Sequence, residues 1–123
     1  MKKILIVEDD PILLSTLADN LTKEGFEIIK AGDGEEGLAS ALSAKPDLIL
    51  LDILLPKMDG LTMLKKLRQD EWGKHAPVII LTNLSSPTDI SKALEVMDGL
   101  GEYLIKTDWK IEDVVNRVRE RLK

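Results

Sequence analysis

The stretch Leu48-Ile49-Leu50-Leu51-Asp52-Ile53-Leu54-Leu55-Pro56-Lys57-Met58-Asp59-Gly60 decides the fold. Its first four residues are aliphatic without alternation and lie between Pro46 and Pro56, which predicts a short strand buried on both faces. A strand covered on both sides belongs to a parallel sheet flanked by helices. Asp52 stands where that strand emerges, on a rigid support at the mouth of the sheet. A single acidic residue there is a weak signal, because strand ends often carry acids simply to reach water. Its weight depends on what stands at the other strand ends.

Outward from this stretch, the hydrophobic period switches repeatedly between strand and helix. Ile4-Leu5-Ile6-Val7 is a second continuous run and predicts a central strand. Asp10-Pro11 supplies the N-cap and first residue of a helix, with Leu14, Leu17, Ala18 and Leu21 as its stripe and Gly25 as its stop. Residues 26–31 form a more polar strand, hence an edge. Asp33 then caps a helix with Leu38, Ala41 and Leu42 inward, ended by Pro46. Downstream of Gly60 comes a helix with Leu61, Leu64 and Leu67 inward. Pro77 opens the strand Val78-Ile79-Ile80-Leu81. Ser86-Pro87, with Asp89 three residues on, starts a helix with stripe Ile90, Ala93, Leu94 and Met97. Tyr103-Leu104-Ile105 is the fifth strand, and Asp108 caps a last helix carrying Ile111, Val114, Val115, Val118 and Leu122.

Five strands alternating with five helices predict an α/β fold with a doubly wound parallel sheet. The common strand order at this size is 2-1-3-4-5. No linker, low-complexity tract or composition break divides the chain, so residues 1–123 read as a single domain. A chain of 123 residues buries about 65–70% of its unfolded surface without staples. The absence of cysteine excludes disulfides and thiolate chemistry. No apolar run approaches the ~20 residues of a membrane span, and Met1-Lys2-Lys3 leads directly into a strand, so the expectation is a cytoplasmic protein with no membrane contact. A formal charge of −5 disfavours direct binding to nucleic acid.

In such a sheet, ligands bind beyond the carboxyl ends of the strands, at the switch point between the first and third. The first strand ends in Glu8-Asp9-Asp10, the third in Asp52, the fourth in Thr82 and the fifth in Lys106. The fold would bring three or four carboxylates, a hydroxyl and an ammonium to one crevice. Crowded carboxylates repel one another unless a cation intervenes. An oxygen-only cluster suits Mg²⁺ or Mn²⁺. Such a crevice can accept a dianionic phosphoryl group, with a carboxylate oxygen attacking phosphorus while Lys106 and Thr82 meet the other oxygens.

These pieces, in register over nearly the whole chain, resemble the receiver domain of two-component response regulators, a flavodoxin-like fold. The segments that carry the resemblance are Ile4–Asp10, Asp47–Asp52, Leu55–Gly60, Ile80–Thr82 and Tyr103–Lys106. It implies that Asp52 accepts a phosphoryl group from a sensor histidine kinase or histidine phosphotransfer domain. It implies that Glu8 and Asp9 are the acidic pair, with Asp9, Asp52 and the Leu54 carbonyl among the metal's ligands. It also implies that Thr82 and Tyr103 act as the switch. They would remodel the face of the fourth helix, fifth strand and fifth helix toward a downstream effector, in a monomer or weak dimer that promotes its own phosphorylation and dephosphorylation.

Other classes fit less well. A haloacid dehalogenase-type phosphohydrolase needs a second Asp two residues beyond its nucleophile, and that position is Leu54. A flavodoxin-like electron carrier needs a phosphate loop where this chain has Glu8-Asp9-Asp10. A phosphorylation-independent binding module on the same fold is the alternative, weighed against by the joint presence of Asp52, Thr82 and Lys106. Asp10 reads as an N-cap alone, and His75 as a surface residue. The chain departs from the family's pattern at Thr107, commonly a proline after a cis bond, at Asn83, commonly smaller, and at Leu54 and Leu84, often polar.

Overall fold

Each continuous aliphatic run forms a strand, and each stripe of period 3.6 forms a helix beside it. The computed structural model describes residues 1–123. In chain order the elements are β1 (Lys3–Val7), α1 (Pro11–Lys23), β2 (Glu27–Ala31), α2 (Gly34–Ala44), β3 (Leu48–Leu51), α3 (Gly60–Leu67), β4 (Val78–Thr82), α4 (Pro87–Met97), β5 (Gly101–Ile105) and α5 (Ile111–Arg121), with short 3₁₀ turns at Gly73–His75 and Lys106–Asp108. The five strands are parallel, in the order β2-β1-β3-β4-β5. This is the expected doubly wound, flavodoxin-like arrangement.

The sheet is buried on both faces because successive side chains point to opposite sides. Leu5, Val7, Ile49, Leu51, Val78 and Ile80 face α2, α3 and α4, where Ala41, Met63, Leu64, Leu67, Ala93 and Met97 meet them. Ile4, Ile6, Leu48, Leu50, Ile79 and Leu104 face α1 and α5, against Leu17, Leu21, Val114, Val115 and Val118. No helix is long and apolar enough to cross a membrane.

Three of the capping residues act as read: Asp10 accepts from the Ile12 and Leu13 amides, Asp33 from the Glu36 amide and Ser86 from the Asp89 amide. Asp59, which the sequence reading did not single out, caps α3 by accepting from the Thr62 amide. Three expectations need correction. Leu42 and Leu94 lie at the margins of their stripes and are 37% and 49% exposed. In α2 the buried positions are Gly34, Gly37 and Ala41, residues small enough to let the helix lie close to its neighbours. Asp108 does not cap α5. It closes the 3₁₀ turn after Lys106, and the helix begins after Lys110 with no side-chain cap.

Register sets the site. Val7 of β1 pairs with Leu51 of β3, and Leu51 pairs with Ile80 of β4. Thr82, two residues further along β4, pairs with Ile105 of β5. The Asp52 amide continues the ladder to the Val7 carbonyl at 3.1 Å, and the Glu8 amide reaches the Ala31 carbonyl at 3.0 Å. The chain therefore leaves β1 and β3 side by side, with Glu8 and Asp52 aligned.

Candidate functional site

Asp52 is 4% exposed, Glu8 is 3% exposed and Thr82 is fully buried. Buried carboxylates persist only where charge or hydrogen bonds compensate their desolvation. Asp52 has both. Its Oδ1 accepts from the Leu54 amide at 3.2 Å, and its Oδ2 accepts from the Lys106 ammonium at 2.7 Å. The loop that supplies the Leu54 amide folds back at Gly60, whose amide donates to the Ile53 carbonyl at 2.8 Å. A Cβ at residue 60 would fall 2.1 Å from the Asp52 carbonyl oxygen, so only glycine permits this return.

Lys106 joins two strand ends through one ammonium. It lies 2.7 Å from a carboxylate oxygen of Asp52 and 2.7 Å from one of Glu8. Burial works against its charge, but the hydrogen bonds it donates to Asp52 and Glu8 prevail and hold Lys106 above the ordinary lysine value. Burial pushes the Glu8 carboxyl up, and the bonds from Lys106 and from the Asp10 amide oppose that only in part. The other Glu8 oxygen accepts from the Asp10 amide at 3.1 Å. Asp10 is thus a cap by its side chain and an orienting group by its backbone, a second role hidden from sequence because an amide carries no residue signature.

One oxygen from each of Glu8, Asp9 and Asp52 lies within 4.8 Å of the others. Asp9 is exposed at the crevice mouth. This all-oxygen set, two members buried and one open to water, has the donor chemistry of a hard divalent cation site. Nothing in it favours a softer metal.

The Thr82 hydroxyl is buried without a hydrogen-bond partner, a cost that a fold retains where the group has another use. Two residues on, the Leu84 carbonyl accepts a 2.6 Å hydrogen bond from the Tyr103 phenol. Burial, with the charges of Asp89 and Asp52, keeps that phenol above its ordinary pKa, so it is a donor at neutral pH. The bond ties β5 to the loop that follows Thr82. Leu54 is 55% exposed, Leu84 is half-buried and Asn83 is exposed. The Lys106–Thr107 peptide is trans. His75 is exposed in the Gly73–His75 turn, outside this arrangement.

Comparison with known proteins converges on one family. The family model described as the response regulator receiver domain matches residues 4–119. The DNA-binding dual master transcriptional regulator RpaA of Synechocystis is 38% identical over 123 residues, covering 100% of this chain and 50% of that protein. The alkaline phosphatase synthesis transcriptional regulatory protein PhoP of Bacillus subtilis is 40% identical over 105 residues, 85% of this chain and 42% of that protein. The chain thus spans about half the length of these relatives or less. Among solved structures, the BeF₃-activated N-terminal receiver domain of Klebsiella pneumoniae RstA superposes with a TM-score of 0.85 at 33% identity, covering 98% of both chains. A CheY-like receiver domain protein from Methanospirillum hungatei gives 0.88 at 30% identity, covering 99% of this chain and 94% of that one.

Proposed function

The chain belongs to the response regulator receiver domain family, a phosphorelay signalling family, and on that premise we propose that Asp52 is its phosphoacceptor and residues 1–123 its single receiver domain. The observation that carries this reading is the Lys106 ammonium 2.7 Å from Asp52, with a buried, unpartnered Thr82 hydroxyl at the end of the adjoining strand. A cation and a free donor beside one carboxylate form a receptor for a phosphoryl group.

In the transfer, a carboxylate oxygen of Asp52 attacks the phosphorus of a phosphohistidine on a sensor kinase or a histidine phosphotransfer domain. The new O–P bond forms as the N–P bond breaks, and the imidazole leaves with its electron pair. Lys106 neutralises one phosphoryl oxygen and Thr82 donates to another, so charge meets preset partners. Glu8, Asp9, Asp52 and the Leu54 carbonyl would hold Mg²⁺ or Mn²⁺, whose charge would offset that of the incoming group. Glu8, 2.7 Å from the Lys106 ammonium, helps to orient it.

Thr82, drawn toward the phosphoryl group, pulls on the loop that Tyr103 grips through Leu84. That path leads to the face formed by α4, β5 and α5, which delivers the signal to an effector. RpaA is named as a DNA-binding regulator and is twice this chain's length. With a formal charge of −5, the receiver acts on such an output through protein contacts and not by touching nucleic acid. It works in the cytoplasm, and it catalyses its own phosphorylation and dephosphorylation.

The test is intact mass after incubation with Mg²⁺ and acetyl phosphate. The wild type should gain one phosphoryl group, Asp52→Asn none, and omission of Mg²⁺ should slow labelling strongly. Equal labelling of Asp52→Asn would remove Asp52 from this role.

A further inference from the structure

We propose that Gly34, at the first turn of α2, is a positioning residue that holds the loop between β3 and α3 in the shape the Asp52 crevice requires. This rests on the reading of the crevice as a metal-assisted phosphoacceptor site.

The loop carries two groups that matter to Asp52. The Leu54 amide is bonded to Oδ1, and the Leu54 carbonyl is the proposed backbone ligand. The loop is fixed at its far end by Gly60 against the Asp52 and Ile53 backbone. Between these points it crosses an unfavourable conformation, with φ +67° at Lys57, where a side chain ordinarily costs about 1–2 kcal/mol. Something must hold it there, and the N-terminus of α2 makes the contacts. The Gly34 amide donates to the Pro56 carbonyl at 3.5 Å, and Asp33 pairs with the Lys57 ammonium at 3.6 Å.

The decisive contact is steric. A Cβ built at residue 34 would lie 1.8 Å from the Met58 carbonyl oxygen, 2.7 Å from its carbonyl carbon and 2.9 Å from its Cβ. The two nearest atoms are backbone, so no rotamer change relieves the overlap. Either α2 retreats or the loop shifts. Because α2 is packed through Gly37 against Val7 and Met63, the loop yields, and Leu54 moves with it. Gly37 is the internal control. Its Cβ would meet the Val7 Cγ1 at 2.8 Å and the Val7 Cγ2 and Met63 Sδ at 3.0 Å, so the overlap falls on core side chains and touches no backbone atom of the loop.

The experiment compares Gly34→Ala and Gly37→Ala with the wild-type chain by amide NMR and Mg²⁺ titration. Gly34→Ala should displace the amide resonances of Leu54, Leu55, Lys57 and Met58. It should also weaken Mg²⁺ binding by about tenfold, the scale seen when groups that orient metal ligands are removed. Gly37→Ala should lower stability but keep Mg²⁺ affinity within about twofold of the wild type, which a tenfold effect leaves clearly resolved. If Gly34→Ala is unfolded without metal, its folded fraction against Mg²⁺ concentration yields the same affinity by linkage. Wild-type affinity in Gly34→Ala, or an equal loss in Gly37→Ala, overturns the proposal. If the wild type binds no Mg²⁺, the reading of the crevice fails, and the Leu54 and Met58 resonances alone decide whether Gly34 positions the loop.

Discussion

Glu8 divides its two carboxylate oxygens between Lys106, 2.7 Å away, and the Asp10 amide, 3.1 Å away. Even with both oxygens engaged, burial leaves its pKa raised above the ordinary value of 4.5. Because the folded state holds the proton more tightly than the unfolded chain, the stability Glu8 contributes is full below the unfolded pKa. It is lost as pH rises through the folded value. At neutral pH without metal, the ionised carboxylate is therefore a net burden on the fold. Glu8→Gln, in EDTA, should melt at a higher temperature than the wild type at neutral pH, and the difference should vanish near pH 4, about where an unperturbed glutamate titrates. Mg²⁺ should narrow the neutral-pH gap by stabilising the wild type more. A variant less stable than the wild type at neutral pH would mean that the pairing with Lys106 outweighs the burial.

Thr82 also trades stability for function. Its hydroxyl is fully buried and unpartnered, and such a group costs about 1–3 kcal/mol relative to a satisfied one. Valine has nearly the same shape without the polar atom. Thr82→Val should raise the urea midpoint by the equivalent of about 1 kcal/mol. It should still be labelled at Asp52, but with a smaller amide-shift response in residues 86–115 to beryllofluoride. A less stable Thr82→Val would show that the hydroxyl is satisfied in solution.

Arg68 carries a structural role outside the crevice. Its guanidinium donates to the carbonyls of Gly73 at 2.7 Å, Ala76 at 2.8 Å, Val96 at 3.2 Å and Met97 at 3.3 Å. One planar fork thereby satisfies the end of α4 and the turn before β4. Arg68→Ala should cost about 3 kcal/mol in urea denaturation, since several charge-assisted bonds to part-buried carbonyls are lost together. Arg68→Lys should recover little, because an ammonium cannot span four carbonyls. Full recovery by lysine would reduce the role of Arg68 to its charge.

Legibility in the sequence followed locality. The strands could be read because burial on both faces leaves an unbroken aliphatic run, and the caps Asp10, Asp33 and Ser86 could be read because each bonds an amide two or three residues away. The strand-end chemistry could be read because the doubly wound order forces Glu8, Asp52, Thr82 and Lys106 to one edge. Arg68 was invisible for the converse reason. Its partners lie up to 29 residues away, and an arginine ending a helix looks like part of a solvated face. Asp108 misled because its spacing to Ile111 fits a cap, while the turn after Lys106 had already consumed it. The steric role of Gly34 required coordinates, since no pattern reports which backbone a missing Cβ would strike.

The final expectation concerns how long Asp52 stays phosphorylated. Hydrolysis needs a water in line with the bond to phosphorus, opposite the carboxylate oxygen, and positioning it is a large part of the catalysis. On the proposed reading of Asp52, the residues two beyond it and two beyond Thr82 would border that approach, and both are leucine. Leu54 is 55% exposed and its amide is bonded to Asp52 Oδ1, so its side chain stands at the rim of the crevice. Leu84 is half-buried and packs on the core beneath α4, with its carbonyl held by Tyr103. Neither side chain can hold a water, and the more exposed Leu54 should provide most of the shielding. Self-dephosphorylation should be slow, and Leu54→Asn with Leu84→Glu should speed it by about tenfold, or ~1.4 kcal/mol of barrier. Leu54→Asn alone should give the larger part. Asn83 is exposed beside them, and its amide could orient a water, so Asn83→Ala serves as the control and should leave the wild-type rate unchanged. The measurement is the decay of phosphorylated protein after the donor is removed. Equal rates in wild type and double variant, or a faster wild type, would show that the two leucines do not govern access to phosphorus.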